Sequence, residues 1–331
     1  MIQYFIHDLP EAAGVTAPLP LTAYNPLGKK TYRVHILALG DVGTTMLIGL
    51  RLLGTDVISQ IGICDLNSKN TQRLEMEINQ VRYPFAGFVG SDMPILPPVK
   101  IVEEPQLFDC DVFVFCASKG VPPLGAAGDV RMAQLEANRG LVQHFAALAK
   151  TAAFQGLVCI VSDPVDPLCK AFWQASGLAP SQIQGYGLGV MNARAAYYAE
   201  RDPAFSLYLS EGRAFGPHGD DLVLADSIIA YHDDISKALT EKVIHANMAV
   251  RELGYKPYIA PALSSAAISI LLTLRHQWHY GSLYFGDAEK GAFFGIKNRI
   301  NEQGVLYEDV AVCAPLYERL KRSYLHLCRL P

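Results

Sequence analysis

The sequence predicts an α/β fold in which a doubly wound parallel sheet is followed by an α+β domain. Two observations predict it. Between residues 32 and 162, short apolar runs alternate with stretches of helical spacing, and each run is continuous, as in parallel strands buried on both faces. After residue 162, strand-like pieces mix with three longer helix candidates. We therefore expect an arm over residues 1–30, a first domain over 31–162 and a second domain over 163–331.

Each element has its own local signal. The strands are short runs of β-branched, aromatic and other apolar residues, and the helices are longer stretches of helix-compatible spacing. Asp129 is expected to cap the last helix of the first domain. The arm is expected to lie on the surface or on a second subunit. In chain order, the predicted strands are 34–39, 57–64, 111–117 and 157–162, the helices of the first domain are 41–53, 67–81 and 129–149, and those of the second are 234–252, 260–277 and 308–327.

The composition excludes several classes of protein. Half of the 331 residues are hydrophobic and the net charge is −4, with no cluster of Lys and Arg, so no nucleic-acid partner is expected. The apolar stretch 257–274 contains prolines and hydroxyl side chains, and the N-terminus lacks the features of a signal peptide, so no membrane partner is expected. The seven cysteines have no CxxC spacing, which favours reduced thiols in a cytoplasmic protein and no metal site.

A glycine turn with the sequence Ala38-Leu-Gly-Asp-Val-Gly43 joins the first predicted strand to a helix. Such a turn lets a pyrophosphate approach the helix N-terminus, as in Rossmann dinucleotide-binding folds. Asp65 follows Gly43 by 22 residues at the end of the next strand, where a carboxylate accepts hydrogen bonds from the ribose of NAD. Ala38 replaces the usual first glycine, and the alternative is an ordinary tight turn. The residues expected to face the phosphates are Gly40, Asp41, Val42 and Gly43.

Three further sequence features indicate residues that could take part in catalysis or substrate binding. His218 lies between Pro217 and Gly219 on a predicted turn, where an imidazole can exchange protons near neutral pH; the alternative is a surface histidine. Asp163 follows an apolar strand, and the alternative is a helix cap. Arg131 and Arg194 could each bind a carboxylate through two hydrogen bonds, although surface arginines are common.

Together these segments resemble the lactate/malate dehydrogenase family over nearly the whole chain after residue 30. Val161-Ser-Asp-Pro-Val-Asp166 is similar to the family's Val-Ser-Asn-Pro-Val-Asp, and Gly216-Pro-His-Gly-Asp220 to its Gly-Glu-His-Gly-Asp. The segment ending at Arg194 aligns with one ending Leu-Asp-Ser-Ala-Arg, and Arg131 precedes Asn138 by seven residues, as in the family. The segment 258–264 is more similar to the malate branch than to the lactate branch.

The resemblance implies roles for these residues. His218 would exchange the proton on the substrate oxygen, Arg194 would bind the substrate carboxylate, and Arg131 would polarise the carbonyl from a closing loop. The cofactor would be NAD and the substrate a small 2-hydroxy or 2-oxo acid. The resemblance also implies a homodimer or homotetramer. Further cofactor contacts are implied for Ala117, Ser118, Asn138 and Ser162.

Two departures from the family pattern affect positions that take part in the family's reaction. The aspartate that orients the family's histidine falls on Met191, and a substrate-contacting asparagine falls on Asp163. One hypothesis joins both changes: Asp163 approaches His218 and supplies the missing negative charge. Compared with the family, the loop between Ala117 and Arg131 is longer, and it lacks the basic residue that malate-specific members place just upstream of the arginine, having residues 122–126 (Pro-Pro-Leu-Gly-Ala) instead. This predicts a larger or less acidic substrate than oxaloacetate.

The predicted function is an NAD-dependent oxidoreductase that transfers a hydride between nicotinamide and a 2-hydroxy or 2-oxo carboxylic acid. The alternative is a catalytically impaired NAD-binding sensor or structural protein on the same fold. Met191 favours that alternative, whereas the joint presence of His218, Arg131 and Arg194 favours the enzyme. A third hypothesis, an NAD-using glycosidase, needs a metal held by Cys and His, and Cys159 and Cys169 have no histidine nearby in the sequence.

Overall fold

The computed structural model describes residues 3–21, 28–119 and 130–331, and describes only the backbone of Val130 and Arg131. The strands are β1 (Tyr4–Phe5), β2 (Tyr32–Leu37), β3 (Ile58–Cys64), β4 (Val99–Ile101), β5 (Val112–Phe115), β6 (Leu157–Ile160), β7 (Ile183–Gly185), β8 (Arg213–Phe215), β9 (Val223–Ala225), β10 (His279–Gly286), β11 (Gly291–Asn301), β12 (Gly304–Tyr307) and β13 (Ala311–Val312). The α-helices are α1 (Leu9–Ala12), α2 (Asp41–Leu53), α3 (Ser68–Gln80), α4 (Val130–Thr151), α5 (Val165–Ser176), α6 (Leu188–Ala199), α7 (Tyr208–Glu211), α8 (Asp233–Ile244), α9 (Ala246–Glu252), α10 (Ser269–Leu274) and α11 (Ala314–Arg329), and a π-helix spans Pro261–Ile268.

Within the described residues, nine strands form one sheet in the order β12-β11-β10-β7-β6-β5-β2-β3-β4. The six strands from β7 to β4 are parallel, and β10 to β12 extend the sheet as antiparallel neighbours. The strand order reverses between β2 and β5, which is the point where doubly wound sheets bind ligands. The predicted α/β class with a doubly wound parallel sheet is therefore confirmed.

Both faces of the sheet are buried, which explains the continuous apolar runs. On β5, Val112 and Val114 belong to one core cluster, while Phe113 and Phe115 belong to another on the opposite face. Helix α2 contributes to the first cluster, and α4 and α5 contribute to the second. All four β5 residues are buried, so no position on the strand needs a polar side chain.

Three boundaries in the second half differ from the prediction. The predicted helix 308–327 begins only at Ala314, because Glu308 pairs with Arg213 and Lys297, and β13 pairs with β1. The predicted helix 234–252 is divided at His245 into α8 and α9. The predicted helix 260–277 consists of the π-helix and α10, and it ends at Leu274. Asp129, the expected cap, lies outside the described residues.

The described part of the arm packs on the same chain. Strand β1 pairs with β13, the ring of Tyr4 stacks on that of Tyr317 at 4.5 Å, and Ile6 and Leu9 are completely buried. These contacts hold the start of the arm against β13 and α11 of the same chain. The expectation that the arm also contacts a second subunit stays a prediction. None of the helices within the described ranges combines the length and the apolar character needed to cross a membrane.

Candidate active site

The glycine turn lies at the carboxyl end of β2, beside the point where the strand order reverses. Gly40 precedes α2, and a Cβ built on it would meet no atom within 4 Å. A Cβ on Gly43 would lie 2.1 Å from the carbonyl oxygen of Ala38, so only glycine fits there. The turn therefore leaves open space above Gly40 at the N-terminus of α2, where a pyrophosphate would be bound.

Asp65 lies at the end of β3, next to this turn. Its carboxylate oxygens accept hydrogen bonds from the backbone N–H groups of Leu39, at 2.6 Å, and Asn67, at 2.8 Å. The side chain is only half-buried, and each oxygen keeps a second lone pair for an incoming hydroxyl donor. Asp65 thus orients the turn and fits the ribose of a dinucleotide, so the residues present fit NAD.

Lys256, at this end of the sheet, is a residue that no sequence motif singles out. Its Nζ lies 3.0 Å from Oδ2 of Asp41, the first residue of α2, and both side chains are exposed. A negative charge at the start of α2 opposes the binding of phosphates, and the ammonium group offsets it. The two residues are far apart in the sequence, so no local motif could have revealed the contact.

Polar side chains connect the loops that follow β5 and β6. The Ser162 hydroxyl donates to the carbonyl of Ala117 at 2.8 Å. The amide of Asn138, which is completely buried, donates to the carbonyl of Asp163 at 3.0 Å and accepts from the N–H of Lys119 at 2.9 Å. These bonds hold the two loops together, and the cofactor contacts predicted for these residues and for Ser118 stay predictions.

His218 and Asp163 meet at the carboxyl edge of the sheet. Nδ1 of His218, in the loop between β8 and β9, lies 3.0 Å from Oδ1 of Asp163, which follows β6. Gly187 makes room for the imidazole, because a Cβ there would lie 2.9 Å from the His218 Cβ. Since an ionised carboxylate can only accept hydrogen bonds, it favours the tautomer in which Nδ1 carries the proton. This geometry is the one that the hypothesis of a relocated carboxylate requires.

Arg194 lies on α6, close to this pair. Its guanidinium donates to Oδ1 of Asn247 and lies 3.5 Å from the sulfur of Met191. Burial lowers the pKa of Arg194, and the nearby charge of Asp163 acts in the opposite direction. In the part of the chain that the structure describes, Arg194 has no carboxylate within ion-pair distance, so this cation is available for an anionic ligand.

Met191 lies in the hydrophobic core. It is 1% exposed and belongs to a cluster that includes Leu188, Ala195 and Leu222. The thioether therefore contributes packing and contacts Arg194, but it supplies no charge to the site. The side chain of Arg131 and the loop 120–129 lie outside the described residues, and the predictions made for them stay predictions.

Cys159 and Cys169 are completely buried in the two core clusters, where burial raises the pKa of each thiol. Among the described residues, no three His, Cys, Asp or Glu side chains are grouped closely enough to hold a metal ion. These two cysteines are thus packed as small hydrophobic side chains.

Comparison with known proteins finds a matching family, several similar enzymes and solved structures of similar fold. The family described as "lactate/malate dehydrogenase, NAD binding domain" matches residues 32–185. L-lactate dehydrogenase of Mesomycoplasma hyopneumoniae is 24% identical over 60% of this chain and 59% of its own length. L-lactate dehydrogenase of Halalkalibacterium halodurans is 23% identical over 83% of this chain and 88% of its own. The solved malate dehydrogenase of Aeropyrum pernix superposes with a TM-score of 0.71 at 18% identity, covering 90% of this chain and 96% of its own.

The matched regions differ in extent. This chain spans 59% of the length of the Mesomycoplasma relative, whereas the likeness to the solved structure covers the second half as well. At 18% identity that likeness establishes the fold. The family match includes the glycine turn, Asp65, Asp163 and β7, and it ends before Arg194 and His218.

Proposed function

Because the chain belongs to the lactate/malate dehydrogenase family, we propose that it is an NAD-dependent oxidoreductase acting on a 2-hydroxy or 2-oxo carboxylic acid. One observation carries the proposal. The His218–Asp163 pair lies close to the half-buried cation of Arg194, which has no carboxylate partner within the described residues. A proton-exchanging group and an anion-binding group are the two functions that reduction of a 2-oxo acid requires from side chains.

The two nitrogens of His218 have different roles in this proposal. Nδ1 is turned to Asp163, which leaves Nε2 to exchange a proton with the substrate oxygen. The Asp163 carboxylate would orient the imidazole and favour the tautomer in which Nδ1 carries the proton, as the acid of a catalytic triad does. In reduction, Nε2 gives its proton to the carbonyl oxygen, and in oxidation it removes the proton of the hydroxyl. Bound NAD supplies the hydride donor or acceptor for the substrate carbon.

Arg194 would orient the substrate by binding its carboxylate through two parallel hydrogen bonds. Asn247, on α9, accepts from Nη2 of the guanidinium and the Met191 sulfur accepts from Nη1, which leaves the remaining N–H groups for the ligand. We propose that Arg131 polarises the substrate carbonyl from the other side. The pairing of Asp163 with His218 also reduces the repulsion that an isolated carboxylate would exert on an acidic substrate.

The test is oxidation of NADH by a panel of 2-oxo acids that differ in size and charge. We expect turnover on at least one acid, and a loss of about 10²–10⁴-fold in kcat for His218→Gln, which is the usual contribution of a general acid. His144→Gln is the matched control, because His144 forms an exposed pair with Glu104 elsewhere on the surface. Tight NADH binding without turnover on any acid would instead support the sensor, which gains no support from the relatives above.

We further propose assembly as a homodimer or homotetramer and a cytoplasmic location. Ile48, Leu52 and Leu53 on α2 expose apolar surface, which is compatible with a subunit contact. The seven cysteines, all of which lie in the described ranges, are free thiols, which is compatible with a reducing compartment. Sedimentation equilibrium at several concentrations tests the assembly, and a monomer at all of them would contradict it.

A further inference from the structure

The loop between β8 and β9 that carries His218 is fastened by two side chains of α11 that the mechanism above does not use. The hydroxyl of Ser323 donates to the backbone carbonyl of Asp221 at 2.7 Å. On the next turn of α11, Nδ1 of His326 pairs with the Asp221 carboxylate. Ser323 is 3% exposed, so its hydroxyl has little access to water and needs this partner. Asp221 lies three residues after His218, so both contacts act on the loop close to the imidazole.

The other end of the loop is fixed by β11. The N–H of Gly216 donates to the carbonyl of Gly295 at 2.9 Å, and a Cβ on Gly295 would lie 2.2 Å from the carbonyl oxygen of Gly216. A Cβ on Gly216 would lie 2.8 Å from the Ser323 hydroxyl, so this hydroxyl lies between the two ends of the loop. His218 is therefore held between two anchors, one on β11 and one on α11.

Helix α11 is itself firmly packed. Leu320 and Tyr324 are completely buried in a core cluster, and the Tyr324 hydroxyl donates to the carbonyl of Phe285 on β10 at 2.7 Å. The guanidinium of Arg319 donates to the carbonyl of Leu224 on β9 at 3.2 Å. A loop that is joined to such a helix takes a defined position relative to the sheet.

We propose that Ser323 and His326 are positioning residues for His218. They hold the loop where Nδ1 of His218 lies 3.0 Å from Oδ1 of Asp163, and neither touches substrate or cofactor in this role. Breaking either contact frees the loop at Asp221, so the imidazole spends less time within hydrogen-bond distance of the Asp163 carboxylate. The effect on turnover rests on the proposed function, whereas the effect on the contact between His218 and Asp163 does not.

The first experiment measures the tautomer of His218 by NMR of the full chain labelled with ¹⁵N-histidine, in mildly alkaline buffer without substrate. The shifts of Nδ1 and Nε2 show which nitrogen carries the proton, and the signals of His218 are identified by their loss in His218→Gln. In the wild type the Asp163 carboxylate favours the proton on Nδ1. In Ser323→Ala and in His326→Ala, we expect the population with the proton on Nε2 to rise by at least about 2-fold.

Two controls separate positioning from a general loss of structure. His326→Asn keeps an N–H donor close to the position of Nδ1 and should restore the wild-type spectrum. His144→Ala removes an exposed histidine that pairs with Glu104 elsewhere on the surface and should leave the signals of His218 unchanged. Urea unfolding is measured on every variant, because a loss of stability without a change of tautomer is the mark of a structural role.

An alanine variant that folds and leaves the tautomer of His218 unchanged would overturn the positioning role of the residue it replaces. The side chain of His326 is 54% exposed, so His326→Ala should fold and carries the test if Ser323→Ala does not.

The second experiment is kinetic and uses the 2-oxo acid that is turned over fastest. We expect kcat to fall by about 10-fold or more in Ser323→Ala, since misplacing a catalytic group by about an ångström costs up to about 100-fold, while KM for NADH changes by less than about 3-fold. Because both contacts act on Asp221, the double variant with His326→Ala should lose less than the product of the two single losses. Unchanged kcat in a variant whose tautomer has shifted would contradict the effect on turnover. If no acid is turned over, the proposed function fails and the NMR result alone decides the positioning role.

Discussion

The carbonyl oxygen of Ala38 occupies the position that a side chain on residue 43 would need, at 2.1 Å from an ideal Cβ. This contact lets α2 begin directly over the end of β2 and directs its N-terminus at the open space above Gly40. The same turn holds Ala38 at φ +73°, a left-handed conformation that L-residues other than glycine adopt at a cost. Close packing at residue 43 and strain at residue 38 are thus two consequences of one tight turn.

The two glycines of the turn should respond differently to the same substitution. Gly43→Ala places a methyl group against backbone, so we expect a loss of stability of about 1–3 kcal/mol, the usual cost of overpacking. Gly40→Ala adds a methyl group in open space and should change stability little, but the methyl group would obstruct a pyrophosphate. Urea unfolding measures the first effect and calorimetric titration with NADH the second. Unchanged NADH affinity in Gly40→Ala would contradict the proposed pyrophosphate position.

Ala38→Gly should stabilise the protein. The left-handed conformation costs a non-glycine residue about 1–2 kcal/mol, which Ala38→Gly would remove. The greater conformational freedom of glycine in the unfolded chain offsets about 0.5–1 kcal/mol of that gain. The expected net gain is about 0.5–1 kcal/mol, measured by urea unfolding. Ala147→Gly is the control, because Ala147 is exposed within α4 and the same substitution there should destabilise by about 1 kcal/mol.

Because Lys256 and Asp41 form an ion pair beside the proposed pyrophosphate position, removing the positive charge and removing the negative charge should change the affinity for NADH in opposite directions. Lys256→Ala leaves the Asp41 charge unopposed at the N-terminus of α2, so NADH should bind about 3- to 10-fold more weakly, in line with about 1 kcal/mol for an exposed charge. Asp41→Asn should tighten binding, and the double variant should return close to the wild-type affinity. Calorimetric titration at low and high salt checks this, since salt screens the effect. Adenosine, which has no phosphate, should bind all variants equally.

His279 predicts a loss of stability in acid. The side chain is buried beside Thr273, at 2.9 Å, and burial lowers its pKa to about 4 from 6.5. Since the unfolded chain then binds a proton more readily, this contribution to stability is complete above about pH 6.5 and is lost as the pH falls through 4. The difference in free energy of unfolding between wild type and His279→Gln should therefore shrink over this window, by on the order of 3 kcal/mol at most. The titration of Asp166, whose pKa burial raises to about 7, contributes equally to both proteins and cancels in the comparison. A difference in free energy of unfolding that stays constant with pH would therefore contradict the lowered pKa of His279.

Several parts of the fold and site were predictable because their signals are local. The strand preceding the glycine turn and the helix following it depend on a continuous apolar run and on glycine stereochemistry, and the structure has them as β2 and α2. The helix predicted over 308–327 was too long, because the pairing of β13 with β1 involves residues from opposite ends of the chain. Nothing local in residues 308–313 signals that partner.

The sequence by itself determined the α/β class, the glycine turn and some of the candidate polar residues, among them Asp163, Arg194 and His218, since apolar periodicity, glycine spacing and short motifs are properties of neighbouring residues. Only the tertiary structure decided which of those polar residues meet. It placed Asp163 on His218, and it added Asn247 beside Arg194 and Lys256 beside Asp41. The physical reason is that charge and hydrogen bonding act over a few ångströms of space, and segments remote along the chain come that close only where the sheet and its covering helices pack them together.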